Sequence, residues 1–196
     1  MSDKKEPVLA FVDVETTGLD CLRHQVIEIA VQRCNMAGCP VAPPYVTKIK
    51  PSVEALAVAE ERALEVNRYT PEEWEGAPEE SLEVWRPVWN SLQDTFLVGQ
   101  NVTFDRGFIE RAFRTYLPHE KLPWCHRFID LTAYSALFAM ELGVESWGLT
   151  DAYKALKGPE MEEHRAMSDV RRGIFLYQWM LAVFKQGFKT TNLLSS

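Results

Sequence analysis

Apolar and polar positions change period along this chain, and each change marks an element. Val8-Leu9-Ala10-Phe11-Val12 is an unbroken apolar run, which predicts a buried strand over Val8–Val14. Gln25–Arg33 alternates polar and apolar side chains and predicts a second strand. A turn at Asn35–Pro40 leads to a third strand over Pro44–Lys50, so the chain opens with an antiparallel meander.

The period then becomes helical. Val53–Val66, rich in Ala, Glu and Leu, predicts one helix. Another begins at Thr70, whose hydroxyl can cap, with Pro71 in the first turn and Glu73 completing a capping box. Glu80–Leu92 reads as a helix despite Pro87. Thr95–Gly99 is a short apolar strand, and Thr103 is placed to cap a helix carrying Phe104, Phe108, Ala112 and Tyr116 at spacings of four. Arg127–Leu131 predicts the last strand, followed by a helix ending at Gly143. A helix over Leu149–Leu156 and a long one over Arg165–Phe184, with Val170, Ile174, Tyr177, Leu181 and Phe184 as its core stripe, complete the pattern. A meander followed by alternating strands and helices is the signature of an α/β domain with a mixed five-stranded sheet flanked by helices. The expected layout is a disordered lead over 1–7, a single domain over 8–186 and a frayed tail over 187–196.

Composition agrees with one soluble domain: 196 residues, 46% hydrophobic and 25% charged. No apolar run approaches the length of a membrane span, and the first seven residues lack the apolar core of a secretory signal, so a cytoplasmic location is expected. The four cysteines, Cys21, Cys34, Cys39 and Cys125, are expected as reduced, buried thiols. The Cys34/Cys39 pair lacks nearby partners for a zinc site. A net charge of −7 argues against gripping long duplexes through many phosphates and favours contact with a few nucleotides near one end.

Chemistry concentrates in three short segments: Asp13-Val14-Glu15-Thr16-Thr17-Gly18, Asn101-Val102-Thr103-Phe104-Asp105, and His164-Arg165-Ala166-Met167-Ser168-Asp169. Asp13 and Glu15 are alternate residues on a strand and face one side, roughly 6–7 Å apart. Two carboxylates on so apolar a strand are costly to bury without positive charge, and hard divalent cations supply it. Four carboxylates and one histidine form the inventory of a two-metal phosphodiester-cleaving site. Singly, each piece has a plainer reading. Asp13 and Glu15 could cap a turn, Asp105 could answer a helix dipole, and His164 could be an exposed loop residue. His164 and Asp169 lie about 140° apart around a helix, so the workable arrangement places His164 on a loop and Asp169 in the first helical turn.

The segments together resemble the DEDDh-type 3′–5′ exonucleases, which include polymerase proofreading subunits and nucleases of the RNase T kind. The motifs D-x-E-T-x-G, N-x-x-F-D and H-x4-D occur here in order, and the resemblance runs from about Val8 to about Leu181. It implies an RNase H-like fold, two Mg²⁺ ions per site that Mn²⁺ can replace, and release of nucleoside 5′-monophosphates from a 3′ end. It assigns the ions to Asp13, Glu15, Asp105 and Asp169, and the general base to His164. It also assigns terminal-nucleotide contacts to Thr16, Thr17, Gly18, Leu19, Asn101 and Phe104.

Single-stranded DNA is the expected substrate. An exoribonuclease of the RNase T or oligoribonuclease kind, or a non-catalytic binding domain of the same fold, are the alternatives. A polymerase or repair protein is a possible partner, and the sequence leaves the oligomeric state open. Trp74, Trp85 and Trp89 read as helical core rather than base-stacking platforms, and His24, His119 and His126 as structural or surface residues.

Overall fold

The computed structural model describes residues 6–142, 148–161 and 164–193. Its centre is a five-stranded sheet built from β1 (Val8–Thr16), β2 (Val26–Cys34), β3 (Tyr45–Lys48), β4 (Thr95–Gly99) and β5 (Phe128–Asp130), in the order β3-β2-β1-β4-β5. β1 pairs antiparallel with β2, and β2 with β3, as the meander predicts. β4 and β5 then join in parallel beside β1. The sheet is therefore mixed, as expected. β2 is buried on both faces along most of its length, because helices cover both sides of the sheet and leave no solvent face for its alternation to serve.

Eight helices are described: α1 (Val53–Ala57), α2 (Glu61–Val66), α3 (Pro71–Trp74), α4 (Leu82–Ser91), α5 (Val102–Tyr116), α6 (Thr132–Leu142), α7 (Leu149–Ala155) and α8 (Ala166–Leu193). The pleat of β1 divides the core between them. Ala10, Val12 and Val14 pack with Val84, Trp85, Val88, Phe108 and Ile109 of α4 and α5. Leu9 and Phe11 face the other way, into Val170, Leu176, Tyr177 and Met180 of α8. Asp13 and Glu15 share the parity of Leu9 and Phe11, so they continue the α8-facing row beyond the apolar core.

Five local readings change. The helix foreseen over Val53–Val66 is two helices, because residues 58–60 turn out to meet the end of β1: the Glu60 N–H donates to the Thr17 carbonyl at 2.8 Å. Thr70 does cap α3, accepting from the Glu73 N–H, but the Glu73 carboxylate reaches Lys48 and Arg165 instead of closing a capping box. Thr103 does not cap α5. Asn101 occupies that position in the left-handed region (φ 56°), a conformation that asparagine tolerates better than most residues. α8 continues past the predicted end at Phe184 to Leu193, so residues 187–193 extend a helix where a frayed tail was expected. Phe184, read as core, is half exposed against the edge of Tyr134. Gly143 and residues 1–5 and 194–196 lie outside the described residues.

Trp74 and Trp85 are buried as expected, and their indole N–H groups donate to the Ile27 carbonyl and to Glu80. His24 is structural as read: it is buried and accepts from the Asp20 N–H through Nδ1. Of the cysteines expected to be buried, Cys34 is, whereas Cys39 is exposed and Cys21 and Cys125 are half-buried. No described helix is long and apolar enough to cross a membrane.

Candidate active site

The site forms where the carboxyl end of β1 meets the first turn of α8. Oxygens of Asp13, Glu15 and Asp169 all come within 4.8 Å of one another. Asp105, in the first turn of α5, approaches from the other side of β1 and accepts the Val14 N–H at 2.9 Å, fully buried. All four motif carboxylates thus gather around two residues of one strand. His164 sits half-buried on a bend just before α8, as the motif spacing requires, with its backbone in the left-handed region (φ 56°).

The electrostatics of this cluster are adverse. Burial pushes the Asp13 carboxyl well above the usual carboxylate range, and Asp105, Glu15, Asp169 and Glu28 push it further. Glu15 rises to about 8, chiefly through burial, with Asp169 and Glu28 adding to it and Arg165 opposing. Asp105 is raised by burial, while the Val14 N–H pulls it back. A fold that concentrates carboxylates this way holds protons or cations there. An all-oxygen donor set of this density suits hard divalent ions, so the residues fit a metal of the Mg²⁺ type.

Beside the cluster lies a cleft of about 250 Å³ walled by Glu15, Thr16, Leu19, Asn67 and Phe104, with Ala63 and Val66 of α2 opposite. Leu19 is 73% exposed at its rim. Leu19 and Phe104, expected at the terminal nucleotide, therefore border one slot with a carboxylate of the cluster.

Thr16 borders the same slot, whereas Thr17, Gly18 and Asn101 do not line it. Thr17 is fully buried and its hydroxyl accepts from the Gln25 N–H, so its side chain shapes the turn and faces no ligand. Thr16 lines the cleft, yet its hydroxyl donates to the Gly18 carbonyl at 2.7 Å. Asn101 turns toward the start of α5, where Oδ1 accepts from Thr103, and it does not line the cleft.

Gly18 is required by packing: a Cβ there would lie 2.5 Å from the buried His24 ring. Gly18→Ala should cost about 1–3 kcal/mol through overpacking, read as a lower melting temperature with metal binding retained. An unchanged melting temperature would show that the ring yields.

Several residues of the site carry no motif. Asn67 donates to the Thr16 carbonyl at 2.8 Å, and the Leu19 N–H donates to the Glu60 carboxylate at 3.2 Å. Glu28 pairs in register with Glu15 across the β1–β2 hairpin, a position readable from hairpin pairing alone. Arg165 and Arg172 bring the nearby positive charge. Arg172 is almost fully buried and donates to Asp169, and Arg165 lies 3.9 Å from Glu28 and 2.5 Å from Glu73. Of the basic residues flanking the motifs, Arg111 is spent on the Cys21 and His24 carbonyls and Arg106 on Glu110. A larger cavity of about 820 Å³ lies behind the turn after β1, lined by His24, Gln25, Ser52, Arg111 and Tyr116. It borders none of the four carboxylates.

Two structures of Escherichia coli exonuclease I share this fold. The zinc-bound form in complex with single-stranded DNA superposes with a TM-score of 0.74 at 21% identity, over 89% of this chain and 40% of the other. The complex with a dT13 oligonucleotide gives 0.77 at 21% identity, over 94% of this chain and 43% of the other. This chain thus spans less than half the length of exonuclease I. No curated protein matches the sequence. The sequence profile of the exonuclease family typified by RNase T matches residues 10–177, which hold all three motifs and every strand but the first two residues of β1. The chain therefore belongs to the RNase T-type exonuclease family, the DEDDh 3′–5′ exonucleases of RNase H-like fold.

Proposed function

We propose that this protein hydrolyses the terminal phosphodiester bond at the 3′ end of single-stranded DNA and releases nucleoside 5′-monophosphates, with Mg²⁺ as its natural ion. The observation that carries this reading is the convergence of Asp13, Glu15 and Asp169 beside the slot bordered by Leu19 and Phe104. Asp13, Glu15, Asp105 and Asp169 would hold two divalent ions, which when bound lower the pKa of an attacking water and offset charge on the leaving oxygen.

The protein's own groups do the rest. Leu19 and Phe104 offer two apolar surfaces between which a terminal base fits, and Glu15 places carboxylate oxygen at the same slot. His164, on its loop, is the general base, an imidazole that can take the proton of the attacking water. Charge also selects the substrate. A net charge of −7, with Arg106 and Arg111 engaged by partners within the protein, leaves little to hold a second strand. That single-stranded DNA and dT13 occupy the exonuclease I structures supports the choice of a single strand.

The test is a time course on labelled linear single-stranded DNA, the matching RNA, circular single-stranded DNA and a blunt duplex, with Mg²⁺, Mn²⁺ or EDTA and salt varied. The expected result is loss of mononucleotides from the 3′ end of linear DNA, no action on the circle, stalling at duplex, a shallow salt dependence and full inhibition by EDTA. Cleavage of the circle would overturn the end-directed reading. Faster digestion of RNA than of DNA would overturn the substrate.

A further inference from the structure

His164 follows a segment held by two residues that belong to no motif. Upstream of it, Tyr153 and Arg172 organise residues 157–161. The Tyr153 hydroxyl donates to the Pro159 carbonyl at 2.6 Å, and Gly158 packs so closely on the ring that a Cβ would sit 2.3 Å from it. The Arg172 guanidinium lies 5.8 Å from the centre of that ring and is only 2% exposed. One of its nitrogens, Nη1, donates to Asp169; the other, Nη2, donates to the Met161 carbonyl at 2.9 Å. Met161 stands three residues before His164, and Asp169 is one of the three carboxylates that converge. A single buried fork therefore ties the segment leading to the imidazole to a carboxylate of the cluster.

The choice of arginine is informative. Charge alone could be supplied by lysine, whose ammonium is a point donor on a flexible stem. Joining a carboxylate on a helix to a carbonyl on a separate segment needs two donors held at a fixed angle, which the planar guanidinium has. Burying a guanidinium is also costly, so packing alone would be served better by an apolar side chain of similar volume.

We infer that Arg172 is a positioning residue for the nuclease reaction: it sets where His164 stands relative to Asp169, acting through the Met161 carbonyl rather than touching substrate. The inference rests on the exonuclease reading of the same site. It predicts that keeping the charge while losing the fork fails to preserve turnover.

The experiment uses the full chain with a linear single-stranded oligodeoxynucleotide and Mg²⁺. It compares wild type, Arg172→Lys and Tyr153→Phe, each with His164 and in a His164→Ala background. Arg172→Lys should lower kcat by about 10–100-fold, part of the 10²–10⁴-fold worth of the general base it places, with KM nearly unchanged. In the His164→Ala background the same substitution should cost little, because the group it places is gone. Tyr153→Phe, which removes one hydroxyl and keeps the ring, should show a smaller loss with the same dependence on His164. Amide hydrogen exchange of the metal-free protein gives a readout free of activity: residues 157–161 should exchange faster in Arg172→Lys while the sheet is unaltered.

Equal losses in both backgrounds, full activity of Arg172→Lys, or unchanged exchange over 157–161 would each overturn the inference. A wild-type protein inactive on every nucleic acid would sink the exonuclease reading instead, and the exchange result would still decide whether Arg172 holds this segment.

Discussion

Replacing Asp13 by asparagine should abolish nuclease activity and, in EDTA, raise the melting temperature. The two effects share one cause. Asp13 is crowded by Glu15, Asp105, Asp169 and Glu28, and its carboxyl, like that of Glu15, binds its proton far more tightly in the folded protein than in the unfolded chain. Groups raised in this direction favour the fold at acid pH, below the ordinary carboxylate range. That contribution drains away as pH climbs toward the Glu15 value of about 8. The metal-free protein should therefore lose stability between about pH 4.5 and pH 8, and Mg²⁺ or Mn²⁺ should restore it.

The asparagine variant lacks one of the repelling charges. At pH 8 in EDTA its melting temperature should rise by about 3–8 °C, on a scale of 2–4 °C per kcal/mol for a chain of this size. Its activity should fall by about 10³-fold or more, the equivalent of ~4 kcal/mol of transition-state stabilisation. Calorimetric melting across pH with and without metal, beside the oligonucleotide assay, measures both. Activity near wild type would remove Asp13 from the metal site. A lower melting temperature in EDTA would show that the carboxylate is stabilised by contacts stronger than the repulsion.

His164→Ala should slow turnover by about 10²–10⁴-fold, the usual contribution of a positioned general base, while metal affinity stays close to wild type. The reason is geometric: three carboxylates converge without the imidazole, which sits on the bend before α8. Isothermal titration with Mn²⁺ separates the roles. Affinity lost as severely as in Asp13→Asn would make His164 a ligand, and turnover reduced less than tenfold would assign the proton to another group.

The sheet and the five motif positions were legible because each rests on local signals: an apolar run, an alternation, a spacing that puts Asp169 one helical turn into α8. What stayed hidden depends on partners distant in sequence. The break between α1 and α2 cannot be seen in Val53–Val66, since its cause is a carbonyl on Thr17. Glu73 has the spacing of a capping box and is drawn away by Lys48 and Arg165. Thr17 and Gly18 sit inside a motif associated with ligand contact, yet here Thr17 bonds the Gln25 N–H and Gly18 makes room for the His24 ring. Arg172 belongs to no motif, and only tertiary packing shows it buried against Asp169.

The break between α1 and α2 also fixes the gauge of the slot. Residues from both ends of α2 are fastened to the turn after β1: Glu60 through its N–H to Thr17 and its carboxylate to Leu19, Asn67 through its amide to Thr16. Ala63 and Val66, which line the slot, and Leu19 at its rim are therefore fastened to one turn. On the proposed reading, a slot fastened this way would select a lone strand over a paired one by thickness as well as by charge, as a caliper does, and the part set by thickness would persist at salt concentrations that screen surface charge.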